Sequence, residues 1–195
     1  MLTIYHAPGT RSIRPIWLCF ELGLEIDIRT VSFTPEFLAS PEWRAISPAG
    51  KLPLLQDGDL TMFESGAMME YILDACGGGR LRPAPGTHES ALHHQWSWFS
   101  ESTLARPLGI ARMMRGGDLA GDLGEKVSTC LAVVDEAVQD KSFLLGETFY
   151  SADIMMGYTL ELLRRFDLLD DRFPNALRYL EQLKSRDACQ RAMAA

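Results

Sequence analysis

Apolar residues along this chain follow two periods. Near the N-terminus they alternate over short stretches; further on they recur every three or four residues. Leu2-Thr3-Ile4-Tyr5-His6 predicts a first strand and Ala7-Pro8-Gly9 its turn. A helix follows from Ser12 or Ile13 to about Leu22, with Ile16, Trp17 and Phe20 apolar and Gly23 as its stop. Pro15 falls in its first turn, where a missing N–H costs little. Ile26 to Val31 alternates as a second strand, and Pro35 to Ala45 reads as a loop with a helical turn around Phe37, Leu38 and Trp43. The stretch Ser47 to Leu73 then reads as loop, strand, hairpin, strand and helix. Its strands are Leu52-Pro53-Leu54-Leu55 and Leu60-Thr61-Met62-Phe63, joined by Asp57-Gly58-Asp59, and its helix carries Met68, Met69, Ile72 and Leu73.

Cys76-Gly77-Gly78-Gly79 ends that helix, and the Pro- and Gly-rich residues up to Thr87 read as a linker. Beyond it the period is helical throughout. One helix is expected from His88 to about Arg115, bent at Pro107, then a loop to Gly124 and a second helix from Glu125 to about Asp140. Phe143 to Gly146 reads as a buried turn, followed by helices from Ser151 to Phe166, Pro174 to Arg186 and Asp187 onward. Gly146 to Ile154 resembles the segment that caps a buried helix in the glutathione transferases, and that resemblance implies that the Asp153 carboxylate accepts the Tyr150 N–H, with Ser151 as an alternative cap. The expected class is α/β plus all-α, with an N-terminal domain over 1–77, a linker over 78–87 and a helical domain over 88–195.

Apolar residues make up 47% and charged residues 23%, ordinary for a globular chain, and a net charge of −7 without a basic cluster argues against nucleic acid or an anionic membrane as partner. No signal peptide or bilayer-length apolar run is read, so a cytoplasmic location is expected. The four cysteines are widely spaced with no CxxC, paired histidines or carboxylate cluster, so no metal is expected.

Two features of the Ser47–Leu73 stretch point to a ligand. Pro53 stands where a strand begins; a cis Leu52-Pro53 bond would turn the Leu52 backbone outward to pair with an extended ligand. Glu64-Ser65 opens a helix, where free N–H groups and the dipole favour a carboxylate. The Ser65 hydroxyl can donate to that carboxylate while Glu64 holds an ammonium group; taken alone, the pair is an ordinary helix cap.

Gly50-Lys51-Leu52-Pro53-Leu54-Leu55 followed by Glu64-Ser65-Gly66-Ala67 resembles the glutathione-binding signature of the glutathione transferases, and the resemblance runs over nearly the whole chain. It implies a thioredoxin-like first domain, glutathione as co-substrate, a cytosolic homodimer, and glutathione held by Lys51, Leu52, Pro53, Glu64 and Ser65. The family places its activating group just after the first strand. Against its serine-using classes Thr10 takes the hydroxyl position; against its cysteine-using class Arg11 stands where Cys would, with Ser12 next. The first turn thus resembles the serine and cysteine types more than the tyrosine type. With no cysteine nearby, mixed-disulfide chemistry is disfavoured. Thr10, Ser12 and Arg11 are the implied catalytic set, although Thr10 and Ser12 also suit plain caps.

A cysteine-like thiol is only about 3% ionised at pH 7, and lowering its pKa by ~2 units needs roughly 2.7 kcal/mol of preference for the anion. A hydroxyl donor, a helix N-terminus and Arg11 could supply that together. The resemblance implies a hydrophobic electrophile pocket between the domains, with Trp98, Ser102, Arg106, Met113 and Met114 as its residues; core packing is the alternative for Met and Trp. Conjugation, peroxide reduction, isomerisation, dehalogenation and a non-catalytic binding role all remain compatible with these residues.

Overall fold

A computed structural model describes residues 1–108 and 122–195. Among them the order is β1 (Thr3–His6), α1 (Ile13–Glu21), β2 (Asp27–Thr30), α2 (Pro35–Ala39), α3 (Pro41–Ile46), β3 (Leu54–Asp57), β4 (Leu60–Phe63), α4 (Ser65–Cys76) and α5 (His88–Trp98). A π-helical segment, Phe99–Leu104, continues α5, and α6 (Asp122–Ala137), α7 (Ser151–Arg165), α8 (Pro174–Lys184) and α9 (Asp187–Met193) follow. These residues cluster into two compact units, Met1–Arg80 with Arg186–Ala195, and Leu81–Ser185.

The first unit is a thioredoxin-like four-stranded sheet with its helices. β1 pairs in parallel with β2 and antiparallel with β3, and β3 pairs antiparallel with β4, giving the order β2-β1-β3-β4. Ile4, Leu54 and Leu55 from the sheet, Ile16, Trp17 and Leu18 from α1, and Met68 and Ile72 from α4 are fully buried. Each such side chain contributes roughly 1.5–3 kcal/mol of burial. β3 starts at Leu54, two positions later than the apolar run suggests, because Pro53 has no N–H for the ladder. The expected loop after Pro35 is two short helices. Thr34 and Ser40 each cap one, accepting from Phe37 N at 3.3 Å and Trp43 N at 3.2 Å, and each is followed by proline at the first helical position.

The pattern assigns the C-terminal residues to the helical domain, yet Arg186–Ala195 clusters with the sheet. The reason lies in α9: Ala188, Cys189 and Ala192 are buried, Arg186 grips Glu21 through two hydrogen bonds of 2.6 and 2.7 Å, and Arg191 lies 4.2 Å over the Phe20 ring.

The second unit is helical. The single helix expected from His88 to about Arg115 changes register at Phe99. Ala105 N donates five residues back to Ser100 O at 3.1 Å. Pro107 offers no N–H to continue the normal ladder, and hydroxyls compete along it: Ser97 donates to His93 O, Ser100 to Ser97 O, and Thr159 to Ser100 O. Residues 109–121, which hold the rest of that expected helix and most of the loop from Gly116, lie outside the described residues. Asp122–Gly124, expected in that loop, already belong to α6.

α7 is buried along nearly its whole length, which its sequence allows because Asp153 orders its start. The Asp153 carboxylate accepts from Tyr150 N at 2.8 Å, Leu144 N at 3.0 Å and the Tyr179 hydroxyl at 2.6 Å. Ser151 is not the cap; its hydroxyl meets His93 Nε2 at 2.8 Å. Burial, with the charges of His94 and Arg82, pushes the His93 pKa down to about 4. None of the four cysteines is in a disulfide, and burial pushes the Cys19 thiol up to about 12. No helix among the described residues is long and apolar enough to cross a membrane.

Candidate functional site

Strand register brings three separate pieces of sequence to one end of the sheet. β1 ends next to the start of β3, with Tyr5 opposite Leu54, and Leu54 in turn lies opposite Phe63, next to the end of β4. The residues that follow β1, those that precede β3 and those that follow β4 therefore emerge together. They are Ala7–Ser12, Lys51–Pro53 and Glu64-Ser65, the segments that the sequence singles out.

Ser47 braces the middle segment: its hydroxyl donates to Lys51 O at 3.0 Å and accepts from Lys51 N at 3.3 Å. Gly50 closes this turn with a φ of +59°, and a Cβ there would meet Leu38 O at 2.5 Å, so a side chain is excluded on both grounds. Arg44 ties the same loop to Leu38 O and Pro48 O. Lys51 is exposed, Leu52 half-buried and Pro53 buried, and the Leu52–Pro53 peptide bond is cis.

Glu64 joins β4 to α4 with a φ of +74°, outside the regions open to ordinary residues, at a cost of about 1–3 kcal/mol. Its side chain is exposed and caps nothing, which leaves the carboxylate for a ligand. Ser65 is the first residue of α4 and is buried. Arg14, fully buried on α1, donates from Nη1 to Ser65 Oγ at 3.2 Å. A hydroxyl that accepts from a guanidinium keeps its own proton to donate. The start of α4 therefore combines open main-chain N–H groups, a hydroxyl donor and a buried positive charge, a set suited to a carboxylate.

In the first turn Thr10 is 8% exposed and Ser12 fully buried. Thr10 N and Oγ1 both reach Ala7 O, at 3.2 and 2.7 Å, and Thr10 Oγ1 lies 2.6 Å from Ser12 Oγ. Ser12 stands at the α1 N-cap position without a side-chain capping bond. Its hydroxyl meets His6 Nδ1 at 2.8 Å, and His6 Nε2 meets the main-chain oxygen of Ala195 at 3.0 Å. The helix-cap alternative therefore fails for Ser12. Arg11 is half-buried in the same turn.

The expected electrophile residues separate. Within the second unit, Ser102 and Arg106 line a cleft of about 640 Å³ with Thr103, Lys126 and Cys130. Trp98 is 58% exposed and is not among the described residues of that cleft. Met113 and Met114 lie outside the described residues.

Sequence reading missed Arg14 and His6. Arg14 carried a usable signal: a cation between Ile13 and Ile16, on the apolar face of a short helix, demands a buried partner. His6 carried none, since its partner Ala195 is remote in the chain.

A family model described as glutathione S-transferase, N-terminal domain, matches residues 1–74. The chain is 24% identical to glutathione S-transferase 3 of Schizosaccharomyces pombe over 97% of its own length and 86% of that protein. It is 30% identical to glutathione S-transferase F12 of Arabidopsis thaliana over 75% of its length and 76% of that protein. A crystal structure of a glutathione S-transferase from Actinobacillus pleuropneumoniae is 28% identical and superposes with a TM-score of 0.85, covering 98% of this chain and 91% of that one. At that identity and coverage, and with the same fold, the chain belongs to the glutathione S-transferase family.

Proposed function

We propose that the protein is a glutathione transferase that binds glutathione across the end of the sheet and activates its thiol for attack on a hydrophobic electrophile. The convergence of Thr10, Lys51–Pro53 and Glu64-Ser65 at one end of the sheet carries this reading. The γ-glutamyl carboxylate meets the Ser65 hydroxyl, the α4 N-terminus and the Arg14 charge, and Glu64 takes the ammonium group. The cysteinyl backbone pairs with Leu52, which aims the thiol at the first turn. There Thr10 donates to the thiolate, with Arg11 adding positive charge. Ser102 and Arg106 form part of the electrophile pocket. The working form is a cytoplasmic homodimer.

Support for thiolate chemistry, rather than disulfide exchange, comes from the turn itself: its polar side chains are Thr10, Arg11 and Ser12, and no cysteine stands among residues 7–15. An assay panel of an aryl halide, a peroxide and a mixed disulfide tests this. Conjugation of the aryl halide is expected to dominate and to fall in Thr10→Val, which keeps the shape and removes the hydroxyl. Disulfide reduction as the dominant activity would contradict it.

A further inference from the structure

Leu52 hangs between two fixed points. β3 holds the chain from Leu54 onward, and the Ser47–Lys51 turn holds it on the other side. Between them, Leu52 N and O take no hydrogen bond among the described residues, so the placement of Leu52 depends on the turn. Inside the turn the bonds are local. Gly50 N donates to Ser47 O at 2.7 Å, and the Ser47 hydroxyl donates to Lys51 O at 3.0 Å and accepts from Lys51 N at 3.3 Å. These close a ring, which Ser47 N hinges to α3 by donating to Trp43 O at 2.8 Å. One side chain then carries the ring to a further element. Arg44, in the last turn of α3, donates from Nε to Leu38 O of α2 at 3.1 Å and from Nη1 to Pro48 O of the turn at 2.7 Å. A Cβ on Gly50 would come within 2.6 Å of Arg44 Cζ and Nε, so the guanidinium rests directly against the turn.

We propose that Arg44 is a positioning residue for glutathione: by strapping the Ser47–Lys51 turn to α2, it presets the Leu52 main chain before the ligand arrives. The inference rests on the reading that Leu52 pairs with the cysteinyl backbone. Arg44 acts through the turn rather than on glutathione itself. Its side chain suits the task, because a planar guanidinium presents several N–H donors at fixed angles and one group can span two carbonyls. An ammonium is a single point charge on a flexible stem. Leu38 O needs such a donor, since it lies in the last turn of a five-residue helix, where carbonyls have no intrahelical partner.

Arg44 is exposed, so removing it opens no cavity in the core. What goes is order. Without the strap the turn pivots about Ser47, and Leu52 occupies its binding position only part of the time. Glutathione then has to order the turn itself, and its apparent affinity falls with the competent fraction. A cation beside a site can also act in two other ways, and each predicts something different. Attraction by charge alone survives replacement with lysine. Direct contact with the glycyl carboxylate loses its effect once that carboxylate is missing from the ligand. A strap shows neither behaviour.

Calorimetric titration of the wild type, Arg44→Met and Arg44→Lys with glutathione and with γ-glutamylcysteine, which lacks the glycyl residue, separates the three. Arg44→Met keeps the apolar stem and removes every donor. Its Kd is expected to rise about tenfold for both ligands. Arg44→Lys is expected to stay at least about fivefold weaker than wild type, because one ammonium cannot hold two carbonyls. In the ligand-free Arg44→Met protein the Gly50 and Lys51 amides should exchange with deuterium faster, while the urea midpoint stays at the wild-type value. A wild-type Kd in Arg44→Lys would overturn the positioning role, as would a loss seen with glutathione but absent with γ-glutamylcysteine. Unchanged exchange at Gly50 and Lys51, or a lowered urea midpoint that accounts for the weaker binding, would overturn it too. Equal Kd values in all three proteins would overturn it and leave the glutathione reading standing, whereas no binding to the wild type would overturn both. If Arg44→Met folds poorly, Arg44→Lys carries the same comparisons.

Discussion

Ser65 has one hydroxyl proton to give, and the Arg14 bond at 3.2 Å leaves it that proton by taking a lone pair instead. If the proton goes to the glutathione carboxylate, Ser65→Ala should weaken glutathione binding by about 1.5–3 kcal/mol, roughly 10- to 150-fold in Kd. Calorimetric titration measures this directly, and an unchanged Kd would reduce Ser65 to a helix-opening residue. At this scale the sequence was legible where the chemistry is local. Glu64-Ser65 at a helix start and Pro53 before an apolar run carry their meaning in the neighbouring residues. His6 was not legible, because its partners, Ser12 and Ala195, reach it through tertiary folding. Glu64 stood out in sequence for its charge, whereas its strained backbone at φ +74° belongs to the β4–α4 junction and shows only in the fold.

α7 depends on one carboxylate. Asp153 accepts from two main-chain N–H groups and a tyrosine hydroxyl, all in the interior of the second unit. Asp153→Ala would leave those donors buried without an acceptor, at about 1–3 kcal/mol each before relaxation, so a loss of about 3–5 kcal/mol overall is expected. Urea unfolding reads it as a lower midpoint; a loss below about 1 kcal/mol would mean that water satisfies the freed donors. Tyr179→Phe removes a single donor and should cost about 1–1.5 kcal/mol, a smaller shift in the same experiment. Helical period and caps made α1, α4, α7 and α8 readable to within a residue or two. The π-helical segment was not readable, since a five-residue hydrogen-bond register arises from Pro107 and competing hydroxyls without changing the apolar period. The short helices α2 and α3 were legible in principle, as Thr34-Pro35-Glu36 and Ser40-Pro41-Glu42 repeat the same cap-proline-acid pattern.

For the molecule as a whole, acid stability has a sign set by His93. Its folded pKa of about 4 lies below the ordinary 6.5, so between those values the unfolded chain binds more protons and stability rises with pH. The contribution is fully present above about pH 6.5 and disappears as pH falls toward 4, amounting to at most about 3 kcal/mol. His6, also shifted down, adds in the same direction. Denaturant unfolding from pH 7.5 to 4 should show this slope, and His93→Gln should flatten it; equal slopes would place the acid sensitivity elsewhere. A homodimer, expected from the family, should sediment as such at micromolar concentration, and a monomer would contradict the proposed working form. The first unit's sheet and the helical second unit were both visible in the change of apolar period. The return of Arg186–Ala195 to the first unit was not, because Arg186–Glu21 and Arg191–Phe20 are contacts between distant parts of the chain. Everything proposed for the site rests on glutathione occupying the end of the sheet. Calorimetric titration of the wild-type protein alongside a Thr10→Val/Ser65→Ala double variant tests that most directly. Saturable, stoichiometric binding to the wild type that is strongly weakened in the double variant is the predicted result; no binding, or binding of equal strength in both, would contradict it.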